Sequence, residues 1–223
     1  MKRTLLIVTG ASKGFGRAIC HAFFEKNSID VNRNTSTNTI ARVCLVARSQ
    51  QGLEETKEFL QNNLNASNEA CVITTHVVDL GQLDSLEIRL QEIMDMVSPT
   101  HYDHLILVNN AGSLGEIGPI MSSKSPLQHW QRTIDLNITS MLWITRSWGQ
   151  WTIQHKLPTA TLVNISSLLA IQPFPTMSLY AAGKAVRIHR SFLMKRSAFT
   201  QSIFIPLSCI RLVTCTMLAW PKN

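Results

Sequence analysis

Short apolar runs alternate along this chain with longer stretches of mixed character. Residues 4–9, TLLIVT, are continuously apolar between two threonines and stop at Gly10, which predicts a strand buried on both faces. The runs at 42–47, 70–78, 104–109 and 160–166 predict four more strands. Between them, residues 16–26 set Ile19, Ala22 and Phe23 at helical spacing, and further helices are expected near 50–64, 82–97 and 126–155. Residues 27–41, rich in Asn, Ser and Thr, predict a solvated loop. Repeated strand–helix–strand units with buried strands imply an α/β, doubly wound parallel sheet with helices on both faces, in a single domain over residues 1–223.

Composition narrows the function classes. The chain has 223 residues, 45% of them hydrophobic, enough for a sizeable core, and no run approaches the twenty apolar residues of a membrane span. The short apolar run at the N-terminus passes directly into a glycine-rich turn, so it reads as a strand and not as a signal peptide. Five scattered cysteines without metal-ligand spacing suit free thiols, a cytoplasmic location and no metal. The net charge of +7 is uneven: residues 1–135 balance to −2, whereas residues 136–223 carry nine Lys or Arg and no acid. That concentration lies in an atypical ending and in no groove-binding motif, so no nucleic-acid partner and no membrane partner is expected.

In a doubly wound sheet, ligands bind at the carboxyl ends of the strands. The segment after the first strand is TGASKGFG, with Gly10, Gly14 and Gly16. Glycines there let the backbone turn tightly and approach a pyrophosphate, whose charge faces the positive end of the next helix. The second strand ends in VARS, with Arg48 and Ser49 and no acid, and Lys13 and Arg17 stand in the first turn. An acid at that place receives a ribose hydroxyl, whereas basic groups receive a 2′-phosphate, so NADPH is expected over NADH.

Tyr180 and Lys184 are four apart in a helical stretch and share a face. Carbonyl reduction by hydride leaves an alkoxide that needs a proton, and a phenol beside an ammonium is suited to supply it. Ser167, thirteen residues before Tyr180 and just after the fifth strand, has a hydroxyl that can hydrogen-bond the substrate carbonyl, with Ser166 as its neighbour. Tyr180 and Ser167 are therefore the expected substrate contacts.

The order TGxxxGxG at Thr9–Gly16, NNAG at 109–112, NISS at 164–167 and YxxxK at 180–184 resembles the short-chain dehydrogenase/reductase family over roughly residues 4–190. The resemblance implies an NADP-binding domain whose cofactor residues include Ser12, Phe15, Asp79 and Leu80 besides those above. Asp79 corresponds to the family's acid at the adenine ring, and Asn109, Ala111 and Gly112 to its adenosine wall. Asn137, in LNIT, corresponds to the fourth catalytic member, whose backbone holds a water connected to the lysine. Tyr180 and Lys184 also count among the cofactor contacts. Within the family, GASKGFGRAI, NNAGSLGEIG and VNISSLLAIQPFPTMSLYAAGKAVR are similar to the sepiapterin reductase branch. That likeness implies a small-molecule carbonyl substrate, a pterin with a side-chain ketone, in a cytosolic homodimer serving tetrahydrobiopterin synthesis. Reductases of diketones such as benzil share much of the pattern. Leu114, Leu168, Phe174 and Met177 are candidates to line the pocket, and Trp143, Trp148 and Trp151 read as packing or a dimer face.

Beyond Arg187 the family text fades. The run SIFIPLSCI imitates a sixth strand, with Pro206 placed where a ladder donor is needed, and neither a Pro-Gly turn nor a C-terminal acid follows. The expectation is an atypical tail over 191–223, alternative or frame-shifted, lacking the last family strand. Two readings of function follow: an active reductase, or a reductase-like protein impaired in turnover by its ending.

Overall fold

The structure, a computed structural model, describes residues 2–28, 38–63, 71–97, 101–157, 159–172, 174–189 and 199–204. Among the described residues, six strands form one parallel sheet in the order β3-β2-β1-β4-β5-β6. They are β1 (Lys2–Thr9), β2 (Asn38–Ala47), β3 (Val72–Val77), β4 (His104–Asn109), β5 (Thr159–Ile165) and β6 (Phe199–Phe204). The helices are α1 (Gly14–Ser28), α2 (Gln50–Asn62), α3 (Leu83–Asp95), α4 (Leu127–Ile134), α5 (Ser140–Gln154) and α6 (Ser178–His189).

The continuous apolar run of β1 is explained by two cores that share it. Leu5 and Ile7 point to one face, with Leu105, Leu107 and Leu162, under Leu90 and Ile93 of α3 and Ile144 and Trp148 of α5. Leu6 and Val8 point to the other, with Val43, Leu45 and Val108, under Cys20 and Phe24 of α1 and Leu53 and Leu60 of α2. All four β1 side chains are almost fully removed from water. Successive residues of a strand face opposite ways, so a strand between two helical layers must be apolar at every position.

Three sequence expectations change. The polar stretch 27–41 is not loop throughout: Asn27 and Ser28 end α1, residues 38–41 begin β2, and residues 29–37 lie outside the described residues. Pairing accounts for the early start of β2, since Lys2, Arg3 and Thr4 meet Asn38, Thr39 and Ile40, with a register shift before Leu5 meets Arg42. The helix expected near 126–155 is interrupted by a π turn, Asp135–Thr139, in which Ser140 N donates to the Asp135 carbonyl five residues back. Such a turn widens and re-aims a helix locally. Finally, the sixth strand begins three residues before the predicted run, SIFIPLSCI, and shares Ser202–Phe204 with it. β6 pairs residue for residue with β5, from Ala160↔Phe199 to Ile165↔Phe204, and Pro206 lies outside the described residues. The expected lack of a last strand and of a Pro-Gly turn falls on residues 205–223, outside the described residues.

The order reverses between β1 and β4: the chain steps from β1 out to β2 and β3, then returns to β4 on the other side. Loops leaving β1 and β4 therefore diverge to opposite faces and open a crevice at their carboxyl ends.

Candidate active site

The crevice is a cleft of about 970 Å³ floored by the turn after β1. Gly10 and Gly14 have φ of +70° and +55°, the left-handed region that glycine enters without strain. At Gly16 the reason is space, since a Cβ there would stand 2.2 Å from the Gly10 carbonyl oxygen. Ser12, Lys13, Gly14, Phe15 and Arg17 line this floor; Arg48 and Ser49 line the β2 side, Leu80 the β3 side, and Ala111 and Gly112 the β4 side.

The structure distributes roles within that set. Arg17 was expected to meet a phosphate, but its guanidinium is engaged by protein groups. Nε donates to Thr56 Oγ1 at 2.9 Å, and Nη2 donates to the Ser12 and Gly52 carbonyls and to Glu55 Oε2 at 2.8 Å. It ties α2 to the turn and holds the Glu55 carboxyl below its usual range, helped by Gln51. Positive charge toward a ligand is left to the exposed Lys13 and Arg48. Ser49 caps α2, its Oγ accepting from Gly52 N at 3.1 Å, and retains its own hydroxyl proton for a further partner.

Two expected cofactor residues sit elsewhere than expected. Asn109 is 2% exposed, and its Nδ2 donates to Thr145 Oγ1 and Asn164 Oδ1, so its side chain lies beneath the cleft. Its neighbour Asn110 faces the cleft, with Nδ2 donating to the Thr9 and Gly10 carbonyls. Alternation along β4 decides this, because the last in-sheet residue points into a layer and the next leaves the sheet. Asp79 is not in the cleft wall; its Oδ1 accepts from Gly81 N at 3.0 Å and closes the turn after β3, presenting Val78 and Leu80 instead. Thr9, singled out only as part of the motif, clamps the two diverging loops. Its Oγ1 donates to the Val108 carbonyl and accepts from the backbone N of Asn110 and Ala111.

A smaller pocket of about 210 Å³ adjoins the cleft, sharing Phe15, Asn110 and Gly112 with it. Tyr180, Lys184, Ser166, Ser113 and Leu114 complete most of its wall. Lys184 Nζ stands 5.2 Å from the Tyr180 ring centroid and donates to the Ile165 carbonyl at 2.9 Å. Burial, and secondarily the charge of Arg187, push the Lys184 ammonium down to about 7. Of the two adjacent serines, Ser166 is buried and spends its hydroxyl proton on the Lys184 carbonyl, whereas the half-buried Ser167 accepts from Leu169 N and keeps its proton. Ser167 itself is not in the pocket wall, nor are Leu168, Phe174 and Met177 among the four apolar candidates.

Asn137 lies in the π turn, 3% exposed, and clasps the loop after β4: Ser113 N donates to its Oδ1 at 2.9 Å, and its Nδ2 donates to the Ser113 carbonyl at 2.8 Å. A Cβ on Gly183 would meet Asn137 Cβ at 2.9 Å, so the glycine inside YAAGK lets α6 lie against the π turn. The residue that motif reading missed is Arg187. It is 1% exposed, donating to the carbonyls of Asn109, Ala111 and Ile165, and so joins the ends of β4 and β5. Its only signal in sequence is a basic residue three positions after Lys184, on the buried face of the same helix.

A doubly wound sheet with a glycine-floored crevice and a Tyr/Lys pair beside it defines the class of dinucleotide-dependent oxidoreductases. The family profile described as short chain dehydrogenase matches residues 4–210, a span that includes β6, and the chain belongs to that family. Sepiapterin reductase of Rattus norvegicus is 32% identical over 186 residues, covering 81% of this chain and 64% of that protein. Benzil reductase of Bacillus subtilis is 25% identical over 181 residues, covering 81% and 62%. A short-chain dehydrogenase/reductase crystal structure from Burkholderia vietnamiensis superposes with a TM-score of 0.67 at 21% identity, covering 92% and 84%, and supports the fold. The chain thus matches somewhat under two thirds of the length of these curated relatives. Among the described residues, no helix is long and apolar enough to cross a membrane.

Proposed function

We propose that this chain reduces a ketone with NADPH, using Tyr180 as the proton donor. The observation that carries the reading is the shared wall: the pocket bearing Tyr180 and Lys184 and the glycine-floored cleft have Phe15, Asn110 and Gly112 in common. The residues fit a dinucleotide, since the cradle at Gly10 and Gly16 has no room for a Cβ and the α1 N-terminus lies beneath it. NADPH, when bound, supplies the hydride. Lys13, Arg48 and the Ser49 hydroxyl are the groups for its 2′-phosphate, and Leu80, Ala111 and Gly112 the wall for its adenosine. Tyr180 delivers the proton to the developing alkoxide and the Lys184 ammonium favours the resulting phenolate; Ser167 stands outside the pocket wall of the ligand-free chain but keeps its hydroxyl proton, and is the group to orient the carbonyl once substrate extends toward it. Asn137 holds the loop from which Ser113 and Leu114 face the substrate.

The likeness to a sepiapterin reductase supports a pterin bearing a side-chain ketone as the substrate of this reading, and the family resemblance of the motifs adds a cytoplasmic homodimer to it. A second reading, an aryl diketone, is favoured by one observation: among the described residues no acid lines the small pocket, whereas Phe15 and Leu114 do. A pterin ring offers N–H donors that want an acceptor, and an aryl diketone offers none.

Purified chain is expected to consume NADPH with sepiapterin or benzil, faster than with NADH, followed by loss of the reduced-nicotinamide absorbance. Arg48→Glu is expected to lower the NADPH preference by roughly tenfold to a hundredfold, the worth of a charge-assisted phosphate contact. No consumption with either ketone above that of Tyr180→Phe would reject the enzyme reading and leave a dinucleotide-binding protein without turnover.

A further inference from the structure

Two buried cations meet at one carbonyl. Lys184 Nζ donates to the Ile165 carbonyl at 2.9 Å, and Arg187 Nη1 donates to the same oxygen at 3.2 Å. The remaining Arg187 bonds run to the Asn109 carbonyl at 2.7 Å and the Ala111 carbonyl at 2.5 Å. The hydrogen-bond acceptors of both cations are thus neutral oxygens. The wall that Lys184 shares with Tyr180 is otherwise uncharged, made by Ile165 and Ser166 from β5 and by Asn110, Gly112, Ser113 and Leu114 from the loop after β4, and α4, which also packs against α6, carries His129 and Arg132 outside that wall. On α6 itself the charged or titratable neighbours are Tyr180 and Arg187.

This arrangement has an asymmetric consequence. A guanidinium keeps its proton at neutral pH even in a buried place; burial pushes Arg187 down only to about 10. A lysine ammonium yields far more readily, so the strain of two like charges in a dry site falls on Lys184. Arg187 cannot move away, because its guanidinium is anchored on the carbonyl ends of both β4 and β5.

We propose that Arg187 is a positioning residue for the proton chemistry of this site: its strand-anchored guanidinium, on the same Ile165 carbonyl as Lys184, adds a fixed like charge to the burial of the lysine and so loosens the ammonium's hold on its proton. The catalytic consequence rests on the reductase reading. Tyr180 passes its hydroxyl proton to the product alkoxide, a proton from the Lys184 ammonium reaches the phenolate oxygen by way of an intervening hydroxyl or water, and the neutral amine takes one up from solvent. Because the ammonium form exists below the Lys184 midpoint and is lost above it, ketone reduction falls as pH rises through about 7.

The test is a direct titration of Lys184 in the ligand-free chain, reading the carbon-13 shift of its side-chain methylenes, assigned with Lys184→Met. The wild-type midpoint is expected near 7. Arg187→Gln, which retains N–H donors for the carbonyls and removes the charge, is expected to raise it by on the order of one pH unit. The alkaline limb of kcat/KM should move up in parallel. A wild-type midpoint near the ordinary lysine value of about 10.4 overturns the proposal whether or not any variant folds. So does a midpoint left unmoved by Arg187→Gln in a folded protein, which is what a purely structural arginine would give. The titration needs no turnover, so a shifted midpoint in a chain that reduces nothing upholds the tuning by Arg187 and rejects the reductase reading alone.

Discussion

Tyr180→Phe is expected to reduce kcat for ketone reduction by roughly 10²–10⁴-fold, the range for loss of a positioned general acid, while leaving NADPH affinity within about twofold. The asymmetry follows from what the substitution removes. The aromatic ring, its centroid 5.2 Å from Lys184 Nζ, remains in place, and only the hydroxyl of this pocket-lining residue is lost. The glycine-floored cleft is built from other residues, Gly10 to Arg17 and Arg48 to Gly52, and is untouched. Steady-state kinetics with a fluorescence titration of NADPH separates the two quantities. Activity retained within tenfold would show that another group supplies the proton.

Gly16→Ala is expected to weaken dinucleotide binding on the order of a hundredfold, equivalent to about 2.7 kcal/mol, and to lower thermal stability as well. The new Cβ would stand 2.2 Å from the Gly10 carbonyl oxygen and 2.5 Å from Asn110 Nδ2. Neither is the loose end of a flexible side chain. Gly10 N donates to the Val46 carbonyl at 2.7 Å, and Asn110 Nδ2 bridges the Thr9 and Gly10 carbonyls, so relief of the clash must shift the turn against β2 or break the link from β1 to β4. Gly14→Ala is the informative contrast. A Cβ there meets nothing within 4 Å, and the penalty is confined to the positive φ, roughly 1–2 kcal/mol. Binding titrations of the two variants side by side distinguish closeness of approach from backbone strain. Equal losses would show that conformational freedom alone matters in this turn.

The sheet was legible because its signal is local and redundant. β1, β2 and β4 carry unbroken apolar runs of four or five residues, LLIV, VCLVA and LILV, β3 and β5 mix such residues with threonine, and burial between two helical layers favours that pattern wherever it occurs. β6 was misplaced for the opposite reason. Its position is decided by pairing with β5, and the run that overlaps its end, Ser202–Ile210, is more strand-like by composition than Phe199–Gln201. The interruption of the long helix at Asp135–Thr139 likewise leaves no periodic trace, since one extra residue in a turn shifts the phase by less than a short helix can reveal.

Within the site, the division runs between motif and geometry. The chain order by itself determined the glycine turn, the serine pair and the Tyr180/Lys184 spacing, because each depends on neighbours within one turn or one helical step. It also determined the absence of an acid at the end of β2, where Arg48 and Ser49 stand. Tertiary structure alone decided which of two adjacent residues lines the cleft: Asn110 and not Asn109, because the sheet layer claims the last residue of β4. It alone decided that Arg17 neutralises Glu55 and braces α2, contacts 38 residues apart in the chain. And it alone placed the Arg187 guanidinium on carbonyls 76 and 78 residues away, beside Lys184. Hydrogen bonds and charge repulsion act over a few ångströms of space, and only the folded sheet converts sequence separations of that size into such distances.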